Sequence, residues 1–376
     1  MTTKHRRSPL SLLAALALVA SLAVQASADG PLSSPTTFDL PSKTHDVEVV
    51  GTLAYVATEA GLSILNVTTP SSPSLVGATT PSTANRANAV AVSGSWAYMA
   101  GPSAGLIVVN VANPAAPVVR AKKAVSGGLW DVAVHPTDPV VYGVSLYGEM
   151  YVFDVSSPLA PTVVKVIGLP AWASAGGDAV NLQRLRDGVT SGNGRITGVS
   201  VAGPNHLFAV EWAYGRLYYF DISTPLAPEF AGTHYAPYLL KAFADLSRDV
   251  VFMVSGYGSL SGLYSVPISI LSPFASTRYN ACSQCGYLKS LFAIDMGDLV
   301  IASDRYVAYG GGKGNGEFHV VDVTVPTAMA DVASTTIGPH AVAMAHGMGM
   351  AVRGDYVLVA AGNLGIKIYH YPGLTP

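Results

Sequence analysis

Five polar residues stand at, or just before, the start of a short apolar run in different parts of the chain. They are His45, Asp46, Asn88, Asp131 and His346. Imidazole and carboxylate groups together suit a divalent metal, and carboxylates with an amide oxygen suit calcium. If these runs line one opening, the sequence predicts a ligand or metal site there, and the cofactor would be calcium or another divalent metal. The alternative is a polar rim that holds only water.

The apolar runs that would position these side chains recur along the chain. One copy, from Ala89 to Pro114, reads A-V-A-V-S-G-S-W-A-Y-M-A-G-P-S-A-G-L-I-V-V-N-V-A-N-P. Its three apolar runs are separated by Gly, Ser and Pro, which is typical of three short strands joined by tight turns. The prolines Pro70, Pro114 and Pro158 are each 44 residues apart. A period of this length with several strands is typical of a β-propeller.

A fourth apolar run follows the proline segment in the early copies, as at Ser74–Ala78, Val118–Lys122 and Thr162–Ile167. Seven third strands can be counted, so the sequence predicts an all-β, seven-bladed β-propeller. The last copy has no fourth run, whereas Thr36–Leu40 precedes the first copy without a partner. We therefore expect this N-terminal strand to complete the last blade and close the ring. The alternative is a loose N-terminal strand beside a three-stranded last blade.

Residues 29–376 are expected to form this single propeller domain, with an insertion at about 173–195 before the fourth copy. Asp178 is positioned to cap a short helix at Ala179–Asp187. Arg184 and Arg186 would lie on that helix and are candidates for ligand binding, because loops on such scaffolds commonly carry function. The alternative is a surface excursion that binds nothing.

Residues 1–28 are typical of a cleaved signal peptide. A basic start at Lys4–Arg7 is followed by an apolar stretch, Ser11–Val24, and by the small-x-small sequence Ala26-Ser27-Ala28. We expect a secreted, periplasmic or cell-surface protein; an uncleaved anchor is the alternative. No later run approaches 18 apolar residues, so no membrane span is expected in the mature chain.

The two cysteines, Cys282 and Cys285, lie in the sequence C-S-Q-C. An exported protein meets oxidising conditions, so a local disulfide is the leading interpretation. Free thiols, or a metal or redox site, are the alternatives.

Composition and missing motifs exclude several classes of function. Half of the residues are apolar and only 12% are charged, which argues against disorder. The net charge of −2 argues against nucleic-acid binding. The Gly-rich segment Tyr309–Gly316 precedes a predicted strand, whereas a phosphate-binding loop needs a helix behind it. No G-x-S-x-G sequence is present, and no Ser/His/Asp set can be placed by spacing.

One short acceptor residue precedes the proline segment in five copies. These residues are Asn66, Asn110, Asp154, Asp221 and Asp322. Asn and Asp side chains readily bond the backbone of a following turn, so a structural cap is expected at each position.

The copies resemble a known repeat. A-V-A-V-S-G-S-W-A-Y-M-A, followed by G-L-I-V-V-N-V-A-N-P, is similar to the LVIVD repeat of secreted bacterial β-propeller proteins. The resemblance extends over about residues 36–371, although Phe252 replaces Tyr and Pro267 replaces Asp or Asn in the fifth copy. It implies the propeller fold and assigns no activity. The matching positions in three copies are Gly51, Tyr55, Gly61 and Leu62; Gly94, Tyr98, Gly105 and Leu106; and Gly354, Tyr356 (shifted by two positions), Gly365 and Ile366.

The leading functional interpretation is therefore an exported, non-catalytic binding module. It would engage a protein, glycan or envelope partner through one propeller face, as a monomer. The alternative is an enzyme, a metal-assisted hydrolase of lactonase-like type, in which a metal-bound water at the channel mouth would be the nucleophile. A purely structural envelope protein is a third hypothesis.

Overall fold

A computed structural model of the chain describes ten segments. These are residues 32–169, 194–212, 215–236, 238–255, 262–271, 286–289, 299–301, 306–311, 317–337 and 349–374. The predicted signal peptide, Cys282 and Cys285, Arg184 and Arg186, His346, and all of the insertion except Gly194 and Arg195 lie outside the described residues.

The described residues form four-stranded antiparallel sheets. The first strand is β1 (Thr36–Phe38), and the first blade is β2 (Thr44–Val50), β3 (Leu53–Thr58), β4 (Gly61–Asn66) and β5 (Ser74–Ala78). The second blade is β6 (Ala89–Ser93), β7 (Trp96–Gly101), β8 (Gly105–Asn110) and β9 (Val118–Lys123). The third blade is β10 (Asp131–Val134), β11 (Val140–Val144), β12 (Glu149–Asp154) and β13 (Thr162–Gly168). The predicted strands of these copies, including their fourth strands, are confirmed.

The later sheets follow the same order. The fourth blade is β14 (Ile196–Ala202), β15 (His206–Glu211), β16 (Arg216–Asp221) and β17 (Glu229–Tyr235). The fifth is β18 (Leu239–Asp245), β19 (Val250–Ser255), β20 (Gly262–Pro267) and β21 (Gly286–Lys289). The sixth is β22 (Leu299–Ile301), β23 (Tyr306–Gly311), β24 (Glu317–Asp322) and β25 (Ala330–Thr336). Then come β26 (Met350–Arg353), β27 (Tyr356–Ala360) and β28 (Ile366–His370), and short 3-10 turns occur at Thr83–Asn85 and Ile268–Ile270.

This strand order corrects the expectation of a seven-bladed propeller. In the described residues, six blades are contiguous, each made of four consecutive strands. The remaining sheet has three consecutive strands, β26 to β28, and takes β1 at its outer edge. The last repeat is therefore not a blade of its own but part of a composite sheet.

The expected role of the N-terminal strand in closing the ring is also corrected. β1 pairs with β28 over only three residues, at the outer edge of the sheet. The contacts that join the first blade to the composite sheet lie further in. The Thr44 hydroxyl donates to the Gly365 carbonyl at 3.0 Å, and the Gly349 N–H donates to the His45 carbonyl at 3.1 Å. Closure by β1 is thus unsupported, because inner-strand contacts make this junction.

The apolar core lies between neighbouring sheets. Strand β11, for example, is buried along its whole length, because one of its faces packs toward the second blade and the other toward the fourth. Val141 belongs to the cluster shared with the second blade, and Tyr142 to the cluster shared with the fourth. Such two-sided burial explains why the apolar runs of the sequence are nearly continuous rather than alternating.

Glycine at the start of the third strand follows from close packing. Gly105 has a φ of +76°, and a Cβ atom there would lie 2.1 Å from the Lys123 carbonyl oxygen of the neighbouring strand β9. Only glycine combines that backbone conformation with that approach.

The chain thereby creates two distinct sides of the ring. The first strands of adjacent blades run in parallel, since Asp46 and Glu48 on β2 meet Val90 and Val92 on β6 in the same order. We call the side on which these first strands begin the mouth face. The turn face carries the connections from first to second and from third to fourth strands.

Candidate functional site at the central channel

The inner strands place four of the five predicted site residues at the mouth face. His45 and Asp46 lie on β2, Asn88 directly precedes β6, and Asp131 begins β10. The fifth, His346, lies outside the described residues. The first strands therefore do carry these residues to corresponding levels of neighbouring blades.

Asp46 bonds to the backbone of the next blade. Its Oδ2 atom accepts a hydrogen bond from the Val90 N–H at 2.8 Å, and its Oδ1 accepts from the Val47 N–H at 2.9 Å. Two residues further along, Glu48 Oε2 accepts from the Val92 N–H at 2.7 Å. β6 pairs only with β7, so alternate N–H groups of β6 have no ladder partner. The two carboxylates supply that missing partner and join the first blade to the second.

Asp131 makes the same kind of bond at another junction. Its Oδ2 atom accepts from the Val199 N–H on β14 at 2.8 Å and from Lys241 Nζ on β18 at 2.8 Å. The Asp131 side chain is buried, whereas that of Lys241 is 21% exposed. This ion pair therefore links the third blade to the fifth across the inner strand of the fourth.

Gly198 makes room for the Lys241 side chain. A Cβ atom at Gly198 would lie 3.1 Å from Lys241 Cδ and 2.8 Å from the Leu240 carbonyl oxygen. The absence of a side chain at this point of β14 lets the lysine stem pass over the strand toward Asp131.

His45 and Asn88 are both buried at the mouth face. His45 Nε2 lies 3.9 Å from Glu59 Oε1, which also lies 3.9 Å from Lys43 Nζ. The Asn88 side chain is only 7% exposed, and neither its amide nitrogen nor its oxygen has a hydrogen-bond partner among the described residues. Buried amides in proteins are normally hydrogen-bonded to protein or water. Asn88 therefore retains bonding capacity for water or a small ligand.

Burial sets the charge of Glu48. Desolvation raises the pKa of its carboxyl group to about 8. The hydrogen bond from the Val92 N–H lowers the pKa, and the negative charge of Asp46 raises it further. Glu48 is therefore largely protonated at neutral pH, which reduces the repulsion between the two neighbouring acids.

These contacts bear on the predicted metal site. In the part of the chain that the structure describes, no group of three or more His, Cys, Asp or Glu side chains is arranged to hold a metal ion. Asp46 and Asp131, two of the predicted ligands, accept backbone N–H groups of different blades. The arrangement can anchor strands and offer an amide group, and the predicted ligand His346 lies outside the described residues.

The predicted turn caps are confirmed. The Oδ1 atom of each residue accepts the N–H two positions later at 2.8–3.1 Å, in the pairs Asn66–Thr68, Asn110–Ala112, Asp154–Ser156, Asp221–Ser223 and Asp322–Thr324. The bonds from Ser156 lower the pKa of Asp154, and those from Ser223 lower the pKa of Asp221. These carboxylates are ionised and shape the turn face.

The family comparison matches two stretches of the chain. A family model described as the LVIVD repeat matches residues 41–80 and residues 84–122. These two stretches carry the LVIVD repeat. The first match encloses β2 to β5 and the second begins before β6 and ends within β9, so each LVIVD repeat corresponds to one blade. The resemblance stated from the sequence is confirmed for these two copies.

Solved structures share the propeller fold of this chain. A chain of a Mitotic Checkpoint Complex crystal structure has a TM-score of 0.63 at 10% identity, covering 98% of this chain and 96% of that one. The RRP9 WD40 repeats give 0.63 at 9% identity, with coverages of 90% and 99%. The computationally designed Ika8 protein gives 0.54 at 12% identity, with coverages of 87% and 83%. At these identities the likeness concerns the fold alone. No curated protein matches the chain.

Sequence reasoning missed two residues of the central channel. Glu48 follows Asp46 by two positions on a strand, so period-two alternation was a signal that both point the same way. Lys241 gave a weaker signal, because a single lysine near the start of an apolar strand does not show in the sequence which carboxylate it contacts. Among the described residues, no helix is long and apolar enough to cross a membrane.

Proposed function

We propose that this LVIVD-repeat propeller is an exported, non-catalytic binding module that engages a partner outside the cell through its turn face. Export is supported by the signal-like sequence of residues 1–28. A binding role is supported by the distribution of exposed apolar side chains, and the use of the channel carboxylates as links between blades favours a structural role for the channel.

The observation that carries this proposal is on the turn face. Large apolar side chains in its connections reach water in the third, fourth, fifth and sixth blades. They are Leu159, Leu226, Leu246, Ile270 and Val325, each between 40% and 62% exposed. Rigid loops that present apolar side chains around a ring are typical of recognition surfaces, because burying such groups on a partner is favourable.

A charge-insertion experiment tests the binding role. A triple variant, Leu159→Asp, Leu226→Asp and Val325→Asp, disrupts the turn face. A matched variant places aspartates at exposed apolar positions of outer strands, Leu75→Asp and Val164→Asp. Proximity labelling on the native host should identify a partner that the first variant loses and the second keeps. Equal labelling by the wild type and both variants would refute the turn face as the binding surface.

Export is tested separately by N-terminal sequencing of the protein recovered from the native culture. We expect a mature chain that begins at Asp29 in the medium or envelope fraction. A chain that retains residues 1–28 in the cytoplasmic fraction would overturn this part of the proposal.

Elemental mass spectrometry distinguishes the hydrolase alternative. We expect the purified protein to hold no stoichiometric divalent metal. A near-stoichiometric metal that is lost in Asp131→Asn would favour the enzyme instead, since it would show that Asp131 is a metal ligand.

A further inference from the structure

A cavity of about 350 Å³ opens on the turn face between the third and fourth blades. One wall is the connection between β10 and β11, including Asp138, together with Val140 at the start of β11. The opposite wall is the connection between β16 and β17, including Pro225 and Leu226, and Asp154 at the end of β12 completes the lining. Its volume lies within the range of small-molecule and side-chain pockets.

One connection that lines the cavity is longer than its counterparts in the other blades. Residues 51–52 join the first two strands of the first blade, whereas residues 135–139 do so in the third. His135 holds this longer loop in place. Its Nε2 lies 2.9 Å from the Pro204 carbonyl oxygen of the fourth blade, and its Nδ1 accepts the Asp138 N–H at 3.0 Å. The loop is thus fixed before any partner arrives.

The opposite wall is fixed as well. The Tyr142 hydroxyl, on the fully buried β11, donates to the Pro225 carbonyl at 2.8 Å. Lys165 Nζ donates to the Pro228 carbonyl at 2.9 Å in the same connection. Since both walls are held by bonds between the blades, binding would not require the cavity to be assembled first.

The lining combines negative charge with apolar surface. Asp138 is half exposed, and Asp154 is ionised because its bonds from Ser156 lower its pKa. The lining also includes Val140, which is buried, and Leu226, which is 40% exposed. A cation on an aliphatic stem complements such a lining, because its stem contacts the apolar wall while its charge meets the carboxylates.

We propose that this cavity binds a cationic side chain, lysine or arginine, of an extended segment of a partner protein. The proposal rests on the proposed binding function of the turn face and names the chemistry that this part of it recognises. Asp138 and Asp154 hold the charged group, while Val140, Pro225 and Leu226 contact the aliphatic stem.

The preceding junction provides an internal control. Leu159 occupies in the third blade the position that Leu226 occupies in the fourth, within S-S-P-L-A-P and S-T-P-L-A-P. The connection that faces Leu159 from the second blade is the short Gly94–Ser95 turn. Leu159 is 62% exposed and does not line the cavity. A response at Leu226 without one at Leu159 therefore reports the cavity and not exposed leucines in general.

The experiment is a methyl NMR titration of the full mature chain, with the two leucines assigned from Leu226→Ala and Leu159→Ala. The probes are N-acetyl-lysine amide, N-acetyl-arginine amide and the uncharged N-acetyl-norleucine amide. We expect a saturable shift of the Leu226 methyl signals with at least one cationic probe, at least fivefold tighter than with norleucine, and no shift at Leu159. The tighter cation identifies the preferred residue.

Charge variants complete the test. Asp138→Asn with Asp154→Asn should weaken cation binding at least fivefold, whereas Asp221→Asn, which changes the same turn position one blade later, should not. No saturable shift, equal binding of norleucine, or equal loss in Asp221→Asn would overturn the proposal. If the cation test fails but the turn-face variant still loses its labelled partner, the proposed binding function stands. Only the proposal of a cationic side chain in the cavity is then refuted.

Discussion

The carboxylates at two junctions of the channel do the same job in different electrostatic surroundings. Asp46 and Glu48 both accept N–H groups of the second blade and lie beside each other as two acids. Asp131 accepts an N–H group of the fourth blade and is neutralised by Lys241. The difference shows that capping an open strand edge needs only an acceptor, while the surrounding charge decides how the link responds to pH.

We call the junction of Asp46 and Glu48 the acidic junction and that of Asp131 and Lys241 the neutralised junction. The largest expected effect comes from a steric clash at the acidic junction. A Cβ atom at Gly349 would lie 1.9 Å from Asp46 Oδ1 and 2.4 Å from Asp46 Cα. Gly349→Ala must therefore displace Asp46 and should lower the free energy of unfolding by about 3 kcal/mol or more. Gly198→Ala, at the neutralised junction, should cost about 1–2 kcal/mol because part of its contact is with the flexible Lys241 stem. Urea denaturation measures both; an equal cost would contradict the ranking.

The next effect comes from removing the acceptor at the neutralised junction. Asp131→Ala leaves the Val199 N–H and the Lys241 ammonium without this partner, so we expect a loss of about 2–3 kcal/mol in unfolding free energy. Asp131→Asn keeps an acceptor for Val199 and should cost less. If the alanine and asparagine variants lose the same stability, the backbone bond contributes nothing.

The acidic junction should make stability depend on pH. Glu48 ionises near pH 4.5 when unfolded but near pH 8 in the fold, so the folded protein keeps a proton that the unfolded chain loses. Stability should therefore fall as pH rises from about 4.5 to 8, by about 2 kcal/mol when its partial exposure is taken into account.

The matched variant isolates that dependence. Glu48→Gln keeps an acceptor for the Val92 N–H but has no titration, so its unfolding free energy minus that of the wild type should increase over this pH interval. Denaturation curves at pH 5, 6.5 and 8 measure the difference. A constant difference would show that Glu48 is not held protonated.

The smallest expected loss of unfolding free energy is for a carboxylate that caps only its own turn. Asp221 Oδ1 accepts the Ser223 N–H within one exposed loop and joins no blades. Asp221→Ala should lower the unfolding free energy by about 1 kcal/mol, which is typical of a lost turn or helix cap. Thermal denaturation checks this value. A loss as large as that of Asp131→Ala would remove the distinction between capping a turn and linking two blades.

The strands could be read from the sequence because local chemistry specifies them. The runs at Ala89–Val92 and Trp96–Ala100 are bounded by glycine and serine, and the structure places β6 and β7 there within one residue at each end. The turn caps at Asp154 and Asp221 were equally predictable, since donor and acceptor are only two residues apart.

The composition of the channel was not predictable in the same way. The partner of Asp46 is a backbone N–H 44 residues later, and Lys241 reaches Asp131 over 110 residues. Backbone N–H groups leave no mark in the sequence, so Asp46 and Asp131 could be interpreted equally well as metal ligands. The way the ring closes was misjudged for a similar reason, because the contact between Thr44 and Gly365 joins residues that are far apart in the sequence.

A double-mutant cycle at Asp131 and Lys241 tests most directly whether channel carboxylates link blades. The variants are Asp131→Asn, Lys241→Met and the double variant, each measured by urea denaturation. We predict that the losses of unfolding free energy in the two single variants add up to at least about 1 kcal/mol more than the loss in the double variant. The reason is that each single change leaves one charge without its partner. Losses that simply add would contradict the link and return Asp131 to the role of a ligand for something else.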